Sequence, residues 1–204
     1  MSIIEKLERK MPWLSTSNVY KYLTAIFLLG LIIDLFNPLF YLFNLSLNVE
    51  RILSGQVWRL VTFVFYPPSS SRSIILSLLL IYVYYSLAKT LTMMWGDFKF
   101  NLYLLIGFLS QIIGAFFVYF VLGHNIIIFP TYSFFSIIMA FALSFPDAYF
   151  YIYFLIPIKA KYFAYVEIAL YLVLFLSSGI EDRVAIICSA VNVFVFFVLL
   201  KNKI

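Results

Sequence analysis

Apolar residues run through this chain in six long stretches, at 19–36, 74–91, 100–122, 132–145, 162–177 and 184–200. Polar or proline-bearing segments separate them. A helix that crosses a bilayer needs about 20 mostly apolar residues, because each advances it by about 1.5 Å across a hydrocarbon core about 30 Å thick. The pattern predicts an all-α, polytopic membrane protein with six transmembrane helices. The fourth stretch is short and would span only where neighbouring helices shield its ends. Residues 148–158 are also apolar, but Pro146 and Pro157 bracket them. They read as a membrane-hugging connection, with a partial seventh segment as the alternative. No internal repeat or low-complexity tract interrupts the series. The expected division is a segment at 1–18 and one transmembrane domain at 19–204.

Before the first stretch, Ile3, Ile4, Leu7 and Met11 share one helical stripe, with charges opposite. Ser2 followed by Glu5 is a capping-box spacing, and Pro12 stops the turn. The expectation is a short amphipathic helix on the membrane surface, with a frayed terminus as the alternative. The connection after the first stretch, 41–73, is too apolar to be an ordinary wet loop. Trp58 is expected to anchor it at the lipid interface, and Arg59 to snorkel or bond backbone carbonyls.

Composition strengthens the membrane reading: the 204 residues are 65% hydrophobic and 11% charged. Soluble domains carry about 25% charged residues, so lipid must cover the excess apolar surface. With six spans, ten of the fourteen cations fall on one side: Lys6, Arg9, Lys10, Lys21, Lys89, Lys99, Lys159, Lys161, Lys201 and Lys203. Arg51, Arg59, Arg72 and Arg183 fall on the other. The positive-inside rule then places both termini in the cytoplasm. The net charge of +5 is too dispersed for nucleic acid. The first stretch has no small-residue cleavage pattern and reads as an anchor. A single cysteine, Cys188, excludes an intrachain disulfide and reads as a packed hydrophobe. No metal-ligand spacing occurs, and no cofactor or oligomeric state is read from the chain.

Three motifs carry a family resemblance. Gly55-Gln56-Val57-Trp58-Arg59-Leu60-Val61-Thr62-Phe63 follows the first span. Trp95-Gly96-Asp97-Phe98-Lys99-Phe100-Asn101-Leu102-Tyr103 joins the second to the third. Ala140 to Asp147, then Phe154 to Tyr162, link the fourth to the fifth. Their order and spacing resemble the rhomboid-like superfamily of proteases and derlin-type pseudoproteases, over about Tyr22 to Leu200. The resemblance implies a six-helix bundle in a bacterial inner membrane or the endoplasmic reticulum. It puts the family's Gly-x-Ser-Gly nucleophile motif on Phe129-Pro130-Thr131-Tyr132, with Thr131 at the nucleophile position. Both glycines are absent. The family's base, a histidine on the sixth span, has no counterpart between Arg183 and Leu200, and its oxyanion donors on the second span fall on Leu76 and Leu80. A hydroxyl nucleophile needs a neighbour to take its proton, so ordinary rhomboid proteolysis is not expected. The derlin Gly-x-x-x-Gly is also missing from the sixth span, where Ser189 and Ala190 are expected to provide close packing.

The remaining candidates are few. Gly107, Ser110, Gln111 and Gly114 share one face of the third span and predict a close helix contact with an interhelical hydrogen bond, or a client-binding face; Asn192 on the sixth span is a similar candidate. Asp34 and Glu167 are ionisable at membrane depth, which marks a proton relay or a buried hydrogen bond. His124 reads as a solvated loop residue, and Asp182 as the N-cap of the sixth helix. The preferred expectation is a non-catalytic rhomboid-like protein that binds transmembrane segments of client proteins and thins the bilayer locally. The rivals are a divergent protease using Thr131 or Ser133, and a small transporter.

Overall fold

The computed structural model describes residues 3–67, 73–152 and 156–195. The chain is mostly helical. α1 (Ile3–Lys10) leads through a 3-10 turn to α2 (Val19–Phe36). The next connection holds α3 (Pro38–Phe40), a π-helical turn (Tyr41–Leu45), strand β1 (Leu47–Asn48), α4 (Val49–Leu53) and α5 (Arg59–Thr62). Then come α6 (Ile74–Trp95) and α7 (Asp97–Phe117), the latter prolonged by a π turn to Leu122. Strand β2 (Ile127–Ile128) precedes α8 (Thr131–Ser144). Strands β3 (Tyr149–Ile152) and β4 (Ile156–Lys159) lead to α9 (Ala160–Ser177) and α10 (Ile180–Val195).

Four of these helices are long and apolar enough to cross a membrane: α2, α6, α7 with its π turn, and α9. α8 is a shorter apolar helix. In α10 the described helix stops at Val195, and the 196–200 part of the sixth stretch lies outside the described residues, as do Lys201 and Lys203. So do Ser2, Pro68 to Arg72, and Phe154-Leu155 of the third motif.

Pairings fix which helix ends lie together. β1 pairs antiparallel with β2, Leu47 opposite Ile128, so the connection after α2 meets the one after α7. Tyr132 at the start of α8 donates to Asp182 at the start of α10 (3.1 Å). At the opposite end, the Asn101 amide of α7 donates to the Leu14 and Thr16 carbonyls (2.6 and 2.8 Å), and Ser17 donates to Asp97. Consecutive long helices therefore run in alternating directions. Ile4 of α1 is buried in the same core, with Leu7 and Met11 packed on it. The apolar stripe of the amphipathic segment is thus spent on protein.

Three expectations need correction. The all-α class gains two small antiparallel ladders, one of them within the apolar connection at 148–158, where β3 pairs with β4, Tyr149 opposite Lys159 and Tyr151 opposite Pro157. Tyr-Phe-Tyr-Ile is a β-branched and aromatic run suited to a strand, and Pro157 is tolerated because a two-stranded ladder has only edges. Asp182 is not an N-cap: α10 begins at Ile180, which puts Asp182 in the first turn, where its carboxylate accepts the Tyr132 hydroxyl. Ala190 is exposed; α10 turns Ala185, Cys188, Ser189 and Asn192 inward instead.

Candidate functional site

The connection between α2 and α6 is built on a buried arginine. Arg59 is wholly buried, and its guanidinium donates to the carbonyls of Ser46 (2.9 Å) and Phe43 and to the Gln56 side chain (2.8 Å). One planar fork thereby satisfies several acceptors that β1 and the π turn leave free. Burial, then the charge of Arg51, lower its pKa from the usual arginine value, and nearby Tyr41 opposes them. Tyr41 donates to Phe63 O (2.7 Å), and its phenol is held well above its ordinary pKa by burial and then by Tyr66. Trp58 is half exposed and its indole donates to Asn44 O (3.2 Å). The Trp-Arg pair thus divides its work, one residue outward and one inward.

A cavity of about 320 Å³ lies at the start of α8. Tyr66, Phe129, Thr131, Tyr132, Glu181 and Asp182 are among its lining residues. Thr131 is thus placed where a hydroxyl meets a cavity. Ser133 is not: it is buried and donates to Gly107 O (3.3 Å). His124 is exposed in the turn after α7 and does not line the cavity; neither do Leu76 and Leu80. The proton acceptors at this cavity are the carboxylates of Glu181 and Asp182, and Asp182 already accepts from Tyr132. The sequence reading missed this pairing, which joins residues fifty positions apart. Among the described residues no group of His, Cys, Asp and Glu is arranged to hold a metal ion.

The cavity adjoins a second space. A cleft of about 180 Å³ opens between α8 and α9, lined by Phe135, Ile138, Val166, Glu167, Leu170 and Tyr171, with Phe163 and Leu174. Phe135 and Leu174 line both spaces, so one layer of side chains separates them. At one end α9 closes on α8 through Ala160 and Ala164 against Met139 and Ala142. At the other, Tyr171 donates to Tyr132 O (3.2 Å) and approaches Ser189 (3.4 Å). Asp34 is half-buried near the end of α2, and its charge is felt at the Tyr66 phenol, whose pKa burial has already raised.

The third-span face packs against α10. A Cβ on Gly107 would stand 2.7 Å from Asn192 Nδ2, and one on Gly114 2.8 Å from Cys188 Sγ and 2.9 Å from Val184. The two helices therefore approach closely, and a side chain at either glycine would have to displace one on α10. Ser110 donates to Cys188 O (3.2 Å) and the Cys188 thiol to Ser110 O (3.1 Å). Asn192 Nδ2 donates to Ser136 Oγ (3.1 Å), tying α10 to α8. The interhelical hydrogen bond expected of this face is made by Ser110. Gln111 is wholly buried, and neither end of its amide has a partner among the described residues.

Four apolar helices of spanning length, with tyrosines and arginine tied to backbone at one end, define an integral membrane protein of the helical type. No protein-family model matches the chain, and no curated protein or solved structure matches it.

Proposed function

We propose that this protein is a non-catalytic, rhomboid-like, six-span membrane protein with both termini in the cytoplasm, and that it holds transmembrane segments of client proteins. The observation that carries the reading is the cavity at Thr131 beside a cleft between α8 and α9, with Phe135 and Leu174 as their shared wall. Such a space admits a segment from the lipid, while among the described residues no imidazole or amine lines it to activate a hydroxyl. The α9 wall supports the reading. Only 11% of it is buried, against 33% of α6, and Tyr165, Val166, Leu170 and Val173 are exposed on it. α8 has 14 residues, about 21 Å at 1.5 Å each, well short of a core about 30 Å thick. A bilayer that thins to meet it would draw in client helices by mismatch.

A photoreactive residue at Leu170 should capture single-span membrane proteins, and one at Ile113 on the opposite, lipid-facing side of α7 should not. Equal capture from both would sink the binding reading. Cysteines substituted at Ser17 and Gln56 should label from opposite faces of the membrane; labelling from one face would sink the topology. The protease rival is favoured by one observation, the Glu181 and Asp182 carboxylates that share the cavity with Thr131. It requires fluorophosphonate labelling that disappears in Thr131→Ala.

A further inference from the structure

Glu167 lies on the one stripe of α9 that faces the bundle: Ala160, Ala164 and Glu167 are its buried residues, at helical spacing. It is the eighth of eighteen residues, about 12 Å along a helix about 27 Å long, and so close to mid-depth. Its side chain is 9% exposed and lines the cleft between α8 and α9. One carboxyl oxygen, Oε1, is buried with no hydrogen-bond partner among the described residues, and Glu167 is in no ion pair there. Tyr171, one turn on, is within hydrogen-bonding reach of the carboxyl, and its one hydroxyl proton is shared with the Tyr132 carbonyl. Every other residue around the cleft is an apolar aliphatic or aromatic one.

We propose that Glu167 is the recognition group of a helix-docking cleft whose ligand is a transmembrane segment carrying one basic residue near mid-bilayer. The inference rests on the client-binding reading and names the class of client. Charge complementarity selects the occupant. A hydroxyl-bearing segment has no need of this site, because a Ser or Thr in a helix bonds its own chain's carbonyl four residues back. Thr24, Thr92, Ser144 and Ser177 all do so in this protein. A lysine or arginine at that depth finds no such relief and needs an anion. Docking it here pairs two groups that are each costly alone, and the apolar walls accept the rest of the segment.

The test uses the full chain in phosphatidylcholine nanodiscs with a photoreactive residue at Leu170. The probes are synthetic leucine-rich single-span helices that differ only at their central residue. The lysine helix should crosslink about tenfold more than the leucine helix. Glu167→Gln should abolish the preference while the thermal unfolding temperature stays within the range of the parent, and Glu167→Lys should transfer it to a helix with central glutamate. Equal crosslinking of lysine and leucine helices, or a lysine preference that survives Glu167→Gln, overturns the inference and leaves client binding standing. No crosslinking of any helix to a folded protein overturns client binding itself. Competition by an amine-headgroup lipid that abolishes the lysine signal would reassign the site to lipid. Proton flux in liposomes that is lost in Glu167→Gln would reassign it to transport.

Discussion

The α7–α10 seam and the α8–α9 cleft differ in the size of the side chains that face across them. Along the seam, Gly107 and Gly114 let α10 come within reach of side-chain and backbone hydrogen bonds from Ser110 and Cys188. Along the cleft, the larger side chains of Phe135, Ile138, Val166 and Leu170 line a gap between α8 and α9, and one oxygen of the Glu167 carboxyl there has no hydrogen-bond partner among the described residues. Lipid tails offer no hydrophobic gain for closing either gap, so small residues and hydrogen bonds decide which helices meet closely. The close, hydrogen-bonded contacts therefore lie along α7 and α10 and in the arginine platform, while α9 is the least buried of the four long helices.

The largest test of that division is Arg59→Met. It strips donors from the buried carbonyls of Ser46 and Phe43 and from Gln56. Unsatisfied buried acceptors and a lost charge-assisted network should cost about 3–5 kcal/mol in unfolding experiments in detergent. Arg59→Lys should recover part of this, since an ammonium cannot reproduce the fork. A loss under about 1 kcal/mol for the methionine variant would remove the platform from the closely bonded half.

Gly30→Ala comes next. A Cβ there would stand 2.1 Å from the carbonyl oxygen of Phe65. Backbone on both sides leaves nothing flexible to move, and overpacking of this kind should cost about 2–3 kcal/mol. Gly114→Ala should cost less, about 1–2 kcal/mol, because the obstructing atoms are side-chain ends of Cys188 and Val184 that can rotate. The matching change on α9, Leu170→Ala, faces lipid before and after and should stay within about 0.5 kcal/mol. If the α7 and α9 variants lost equal stability, the two helix pairs would not differ in the way their packing implies.

The helical stretches were legible in the sequence because long runs of apolar residues have few other uses, and four of the six are helices of spanning length. Their inward faces were legible only where a small or polar residue marked them. Gly107, Ser110 and Gly114 did so on α7, and Glu167 on α9. Ala190 was misread because, in a chain whose core and lipid faces are both apolar, alanine carries no information about direction. The ladder of β3 and β4 was hidden for a related reason: a short apolar run reads alike as strand or helix. The Tyr132–Asp182 bond and the cleft beside Glu167 are tertiary facts, set by how far α9 and α10 lean from α8, and no local pattern encodes them.

The smallest effect belongs to the β3–β4 ladder that introduces α9. Lys159 donates to Asp147 at 3.0 Å, between largely solvent-facing side chains. The hydrogen bond and charge of Lys159 hold the Asp147 carboxyl below its usual pKa, and Asp147 raises that of Lys159. A lowered carboxyl stabilises the fold above its unfolded value and loses that contribution as pH falls through its folded value. A raised lysine stabilises below its unfolded value and loses the contribution as pH rises through its folded value. The pair should therefore tighten the ladder across the neutral range, weaken towards both extremes, and weaken in about 1 M salt, where screening acts within about 3 Å. Exposure limits its worth, so Asp147→Asn should speed exchange of the Ala160 amide, which bonds Ala148 O at 2.7 Å, and leave global unfolding unchanged. A fall in the global unfolding temperature would couple the ladder to the closely bonded half, and α9 could no longer be treated as standing apart from it.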